Sequence, residues 1–509
     1  MHPLANLDRQ FVWHPFTQMR DWLRREPIVI VEGDGAMLRD SKGREYLDAN
    51  SSIWTNLHGH NHRKMNAAIQ RQLKRIAHSS ALGLANEPAS LLAEKLVGAA
   101  NLFLGTAARR PFLNKVFFSD DGSTALEVAL KLAYEFSRRA RSKVCPSALM
   151  KIFPPRFLSI DGAYHGDTVG AVSLGHIDLF HQAYGGLLFK SDKVMSPYCY
   201  RCPFNRAKPE RADARDYRKC NWECVYKVER KFSVQKKNPF AAFVFEPLIQ
   251  GAAGMIPQPA GWLRRTTDIA RAHGALLIAD EVMTGFGRTG QSSAGFQPAS
   301  SGGIPAAGLR NKDVPRTRRQ DACATLFACH HENVQPDFLC LAKGLTGGYL
   351  PMAATLTSQK VYDAFLGEYH EFKTFFHGHS YTGNQLGAAA ALASLEILQN
   401  ENSIRARQDL EAGLRDGLQS LWQLPSVGDI RQVGLIAGIE LIRNWRTREP
   451  FDLRERAGIR VCEAMARRGV LTRPVGNVIV LMPPFCTTAA QLKQILAATR
   501  DSIAATFGS

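Results

Sequence analysis

The sequence predicts an α/β protein, with a large domain built on a mostly parallel sheet flanked by helices and a smaller α+β domain beside it. Three observations carry this prediction. Short apolar runs of strand length alternate with segments of helical spacing, the pattern of repeated βαβ units. Five of the runs end in a polar or glycine-containing segment: KVFFSDDGS at 115–123, RFLSIDGAYHG at 156–166, AFVFEP at 242–247, ALLIADE at 275–281 and FLCLAKG at 338–344. After about residue 400 the texture changes to helical stretches mixed with short strand-like pieces.

Taken in order, the first 50 residues hold PIVIVEGDGAMLRDSKGREYLDA, a hairpin pattern with turns at Gly33 to Gly35 and Ser41 to Gly43. STALEVALKLAYEFSRR at 123–139 and GWLRRTTDIARAHG at 261–274 have helical spacing, the second closing on a glycine as helix C-termini often do. Beyond 400, helices are expected at 403–422, 453–469 and from about 487, with strands in LIAGIEL (435–441) and VIVLMPP (478–484). The expected organisation is an N-terminal segment 1–51 joining the small domain, a large domain 52–400 and a C-terminal small domain 401–509. Two stretches interrupt it. Residues 291–325, rich in Gly, Pro, Ser and Ala, predict a flexible surface insertion or a lid, and 199–236 is a basic, cysteine-containing excursion.

Composition narrows the function classes. With 45% hydrophobic and 22% charged residues the chain is globular rather than disordered or fibrous. The charge of +18, from 64 Lys+Arg against 46 Asp+Glu, is read as solvated surface, because no nucleic-acid-binding signature accompanies it. No run approaches a membrane span and the N-terminus lacks a signal-peptide core, so a cytoplasmic protein without nucleic-acid or membrane partners is expected. Ten cysteines in 509 residues are too few for a disulfide scaffold, and most are expected as free thiols.

In open parallel sheets ligands sit beyond the carboxyl ends of the strands, which predicts one rim carrying Asp120, Asp161, Glu246, Asp280 and Lys343. Most lysines are solvated, but a buried strand delivers Lys343. Desolvation lowers a lysine's pKa and makes it a nucleophile toward an aldehyde. Asp280 alone would read as a cap. With Lys343 it supplies the two groups that pyridoxal phosphate demands, an amine for the aldehyde and a carboxylate for the pyridinium nitrogen. Asp121-Gly122-Ser123 opens a helix after a strand, so it is either a plain N-cap or a phosphate site using Gly122, Ser123 and the helix N-terminus. Tyr164, just past another strand end, is either a half-buried tyrosine or a ring that stacks on the cofactor.

Other signals are weaker. Gly285, Gly287 and Gly290 spell a dinucleotide fingerprint, but the segment runs into the low-complexity insertion instead of a helix. Cys199, Cys202, Cys220 and Cys224 have the outline of a zinc site, weighed against a thiol-bearing surface excursion, and no metal is expected. His58, His60, His62, His330 and His331 are expected to be structural.

SDDGSTALEVALKLA, DGAYHGDT, EPLIQGAAGM, LLIADEVMTGFGRTG, LAKGLTGGYLPMAATL and FHGHSYTGNQLGAAAALASL, in this order, resemble the class III, fold-type I pyridoxal-phosphate aminotransferases. WHPFTQM at 13–19, SSIWTNLHGHNH at 51–62 and LTRPVGNVIVLMPP at 471–484 are similar to the branch that converts 8-amino-7-oxononanoate to 7,8-diaminononanoate in biotin synthesis. The resemblance implies that Lys343 holds the cofactor and moves the proton, that Asp280 pairs with the ring nitrogen, and that Gly122 and Ser123 bind phosphate. It implies a homodimer with shared sites, His379 and Ser380 reaching the phosphate of the neighbouring subunit. Phe16, Ile53, Trp54, Tyr164, Gly378 and Arg473 would line the substrate pocket, Arg473 taking the carboxylate in a bidentate pair. Phe16 and Ile53 stand where the S-adenosylmethionine-using form has tyrosine and tryptophan, so the implied donor is S-adenosylmethionine or lysine. Setting 291–325 aside brings Lys343 to the family's usual spacing after Asp280. An omega-amino-acid transaminase, a glutamate-1-semialdehyde-type aminomutase and an inactive cofactor-binding protein are the other readings.

Overall fold

The computed structural model of the chain describes residues 1–102, 112–142, 154–235, 238–290 and 325–508. Its centre is a seven-stranded sheet of β1 (Leu113–Ser119), β2 (Arg156–Ile160), β3 (Asp192–Val194), β4 (Phe240–Phe245), β5 (Leu276–Asp280), β6 (Phe338–Leu341) and β7 (Ala353–Ser358), in the order β1-β7-β6-β5-β4-β2-β3. Only β7 runs opposite to the other six strands. The fold class is therefore the α/β architecture the sequence predicts, a mostly parallel sheet flanked by helices. β4, β5, β6 and β7 are buried along their whole length, and the parallel strands β4, β5 and β6 read in sequence as continuous apolar runs rather than alternating ones. β3 and β7 were not among the expected strands: β3 is three residues long, and β7 (AATLTS) carries little apolar weight.

Helices cover the sheet. Gly122–Ser142 and Trp262–Ala272 fall where helical spacing places them, the second followed by Gly274 at φ +76°. The expected C-terminal elements form as the helices Glu401–Leu418, Ala457–Arg467 and Ala489–Phe507 and the strands Ile436–Asn444 and Val478–Leu481. The N-terminal hairpin becomes three antiparallel strands, Ile30–Asp34, Met37–Asp40 and Glu45–Asp48, and the last pairs in parallel with Val470–Leu471 near the other end of the chain. Among the described residues no helix is long and apolar enough to cross a membrane.

The 291–325 insertion, apart from Thr325, lies outside the described residues. The 199–236 stretch is more than a surface excursion. Arg431, fully buried, pairs with Asp429 at 2.9 Å and Glu440 at 2.6 Å; Glu440 accepts Tyr198 Oη and, at 2.8 Å, Arg201 Nε. A buried ion cluster of this kind is costly unless every member is bonded, so it pins the segment on the C-terminal sheet. Cys199, Cys202, Cys220 and Cys224 are free thiols, and among the described residues no group of three or more His, Cys, Asp or Glu side chains is arranged to hold a metal. Gly287 sits in a turn at φ +82°, and Gly290, at φ +83°, is the last described residue before the insertion.

Candidate active site

Beyond the carboxyl ends of β1, β2, β4, β5 and β6 the chain encloses a cavity of about 600 Å³, lined among others by Trp54, Asp120, Gly122, Ser123, Tyr164, His165, Glu246, Asp280, Met283 and Lys343. That volume suits a cofactor-sized ligand. Of the five expected rim residues only Asp161 is elsewhere. It is half-exposed and pairs with Lys193 at 2.8 Å, because the chain turns outward after β2. A smaller cavity of about 220 Å³, between Arg264, Arg271 and His330, contains none of the site residues.

Lys343 follows β6 by two residues on a tight turn, at φ +42°. Burial pushes its ammonium below the usual lysine range, against the opposing charges of Asp280 and Glu246. Its Nζ lies 5.0 Å from the centre of the Trp54 ring. Asp280 ends β5, and its Oδ1 accepts the backbone N–H of Val282 at 3.0 Å. Its Oδ2 stands 2.8 Å from Nδ1 of His165, which is buried. A carboxylate only accepts, so this ring nitrogen carries the proton.

At the other end of the cavity the helix Gly122–Ser142 begins. Asp121 Oδ1 accepts Thr124 N at 2.8 Å, so the segment is an N-cap, and the cavity wall it forms is a candidate anion site as well. Ser123 Oγ lies 2.7 Å from Thr168 Oγ1, and Thr168 donates to Glu127 at 2.6 Å. The backbone there is close: a Cβ on Gly122 would meet Val282 Cγ1 at 2.6 Å, and one on Gly166 would meet Ser123 Oγ at 2.4 Å. Tyr164 donates to Asp167 at 2.6 Å, and burial together with that bond raises its phenol pKa. Glu246 is fully buried; burial pushes its carboxyl up to about 7, although His165 and the N–H groups of Gly251 and Tyr164 pull the other way.

The wall carrying Trp54 has an unusual backbone. Ser51, Ser52, Ile53 and Trp54 all have positive φ, between 46° and 68°. Trp54 N donates to Asn50 O at 2.9 Å and Thr55 N to Ser51 O at 3.0 Å, so this is one turn of left-handed helix. Each non-glycine residue in that conformation costs roughly 1–2 kcal/mol.

The sequence profile of the class-III aminotransferases matches residues 19–298 and 322–503. The chain belongs to this family. A relative from Geobacter sulfurreducens, described as an adenosylmethionine-8-amino-7-oxononanoate aminotransferase, is 43% identical over 500 residues, 98% of this chain and 97% of its own length. A similarly described relative from Nitratidesulfovibrio vulgaris is 44% identical, over 99% of this chain and 82% of its own. The crystal structure of the Methanocaldococcus jannaschii protein of that description superposes with a TM-score of 0.81 at 36% identity, covering 99% of each chain. An amine transaminase from an uncultivated Pseudomonas species, in its PLP-bound form, does so with 0.80 at 31% identity, covering 97% of this chain and 99% of its own.

The residues of this aminotransferase fit pyridoxal phosphate. A buried amine, a bonded carboxylate and a helix N-terminus with no room for a Cβ share one cavity, and two buried side-chain nitrogens near them, Trp54 Nε1 and His165 Nε2, have no hydrogen-bond partner among the described residues. The structure brings together Lys343, Asp280, Tyr164, Gly122, Ser123 and Trp54. Phe16 packs edge-on to Tyr164 at 6.5 Å. His379 stands 3.6 Å from Asp120 of its own chain. Ile53, Gly378, Ser380 and Arg473 do not line the cavity of the single chain, and Ile53 and Arg473 are exposed. His165, Glu127 and Thr168 were missed in sequence. The segment GAYHGDT, which carries Tyr164, also holds His165 and Thr168 and is the signal in the sequence that leads to them.

Proposed function

We propose that this aminotransferase moves an amino group onto 8-amino-7-oxononanoate to give 7,8-diaminononanoate in biotin synthesis, with S-adenosylmethionine or lysine as donor. What supports the substrate is identity over nearly the whole chain with relatives described by that activity. Pyridoxal phosphate, when bound, supplies the electron sink and carries the amino group between the two half-reactions.

The chain's residues divide the remaining work. Lys343 Nζ, with its ammonium disfavoured by burial, takes and returns the substrate proton. Asp280, oriented by His165 and by Val282 N, would hold the ring nitrogen protonated. Gly122, Ser123 and the helix N-terminus would bind the phosphate, and Tyr164 would cover the ring. Phe16, Ile53, Trp54, Gly378 and Arg473 would form the substrate side, Arg473 binding the carboxylate.

The reading includes a cytoplasmic homodimer whose residues 378–380 complete the partner's phosphate site. Exposed apolar side chains at Leu82, Leu84, Phe376 and Tyr381 favour such a contact, and the eight described cysteines, all free, favour a reducing compartment.

The test mixes cofactor-loaded protein separately with S-adenosylmethionine and with lysine. One donor should bleach the visible cofactor absorbance and 8-amino-7-oxononanoate should restore it, while Lys343→Ala should show neither change. Failure of both donors alongside saturable use of ornithine or β-alanine would replace the substrate reading by an omega-amino-acid transaminase. Turnover of an amino aldehyde with no external donor would replace it by an aminomutase.

A further inference from the structure

A buried carboxylate outside the reacting set, Asp48, is hydrogen-bonded to the strained wall. Asp48 is 3% exposed and ends the strand Glu45–Asp48. Its Oδ1 accepts the backbone N–H of Ser52 at 3.0 Å and of Asn50 at 3.3 Å, and its Oδ2 accepts Ser52 Oγ at 2.8 Å. His60 Nε2 lies 3.1 Å from the same Oδ2. Burial pushes this carboxyl up, but the bonds from His60 and Ser52 outweigh it and leave it below the ordinary range. One side chain thus accepts both the peptide N–H and the hydroxyl of Ser52, within a run of four left-handed residues.

Left to itself that backbone would relax. Left-handed runs of non-glycine residues persist only where their surroundings over-determine them, and they gather at sites where the strain places a group. Here the group is Trp54. The turn sets its ring 5.0 Å from Lys343 Nζ, with the ring edge 3.4 Å from where a Cβ on Gly251 would stand and a buried indole N–H that has no partner among the described residues. Ser51 Oγ ties the start of the turn to Met482 O at 2.7 Å, so the other wall of the turn is fixed too.

We infer that Asp48, assisted by His60, is a positioning residue: it locks a left-handed turn so that Trp54 walls the substrate cavity over Lys343. The kinetic part of the inference rests on the aminotransferase reading above, while the placement of Trp54 does not. Asp48 touches neither Lys343 nor Asp280, so its loss should free the wall and spare the reacting groups.

The test uses holoenzyme labelled with fluorotryptophan, the Trp54 resonance among the seven tryptophans being assigned by its disappearance in Trp54→Phe. Asp48→Ala should shift or broaden that resonance alone and raise KM for the amino donor about tenfold, with kcat changed by less than about threefold. Asp48→Asn, which keeps an oxygen toward Ser52 N, should restore both. In a Trp54→Ala background Asp48→Ala should add less than about a twofold further effect. Should Asp48→Ala fail to fold, His60→Ala, which removes one arm of the clasp, is expected to move the resonance in the same direction. An unmoved Trp54 resonance in either folded variant, or an undiminished kinetic effect without Trp54, would overturn the assignment. If wild-type holoenzyme converts none of the donors, the functional reading fails, and the resonance still decides the role of Asp48.

Discussion

Replacing His165 by alanine isolates the contribution of a residue that touches Asp280 and not the reacting amine. The Nδ1–Oδ2 bond is 2.8 Å long, and His165 is buried, so its loss is not made good by bulk water. Hydrogen bonds to charged groups contribute roughly 1.5–3 kcal/mol, and 1.4 kcal/mol is a factor of ten in rate. His165→Ala should therefore lower kcat/KM in both half-reactions by roughly ten- to a hundred-fold, with Lys343 and the cofactor retained. His165→Asn, whose amide nitrogen can occupy the place of Nδ1, should recover most of that loss. Rapid-mixing absorbance of each half-reaction measures the effect separately from binding. An alanine variant within about twofold of wild type, or an asparagine variant no better than alanine, would refute the idea that His165 acts through Asp280.

Three other outcomes are expected. Above pH 7 Glu246 is charged and raises the Lys343 pKa, so Glu246→Gln should leave Lys343 less protonated and speed pyridoxal phosphate capture by the apoprotein at pH 8; equal capture rates would contradict this. His58, pushed by burial from 6.5 down to about 3, is neutral in the fold, and its stabilising contribution is complete above pH 6.5 and lost as pH falls toward 3. Denaturant unfolding of His58→Gln should therefore be less acid-sensitive than wild type over that range, by up to about 5 kcal/mol. Gly122→Ala, whose Cβ would meet Val282 Cγ1 at 2.6 Å, should weaken cofactor binding at least about tenfold in equilibrium dialysis.

The parts legible in the sequence were those in which one residue type answers one local demand. Lys343 and Asp280 ended continuous apolar runs, and Gly122-Ser123 opened an amphipathic helix, so burial and position pointed to them before any fold was known. Asp161 satisfied the same rule and failed it, because a strand end sets where a residue starts and the following turn decides where it points. His165 and Asp48 could not be read in this way. Their roles come from partners brought close by the sheet, at 2.8 Å for Asp280 and 3.1 Å for His60. The left-handed turn was equally silent, since Ser-Ser-Ile-Trp contains no glycine to announce positive φ.

The pairing of Glu45–Asp48 with Val470–Leu471, and the bond from Ser51 to Met482 across 431 residues, bear on the order in which the protein is made. As the chain leaves the ribosome, the strand that ends in Asp48 has no parallel neighbour until the last tenth of the polypeptide is synthesised. The sheet around β5 and β6 can close first. Tryptophan 54 would then be the last wall to be set, and a nascent chain stalled before residue 470 would hold its lysine in an open cleft.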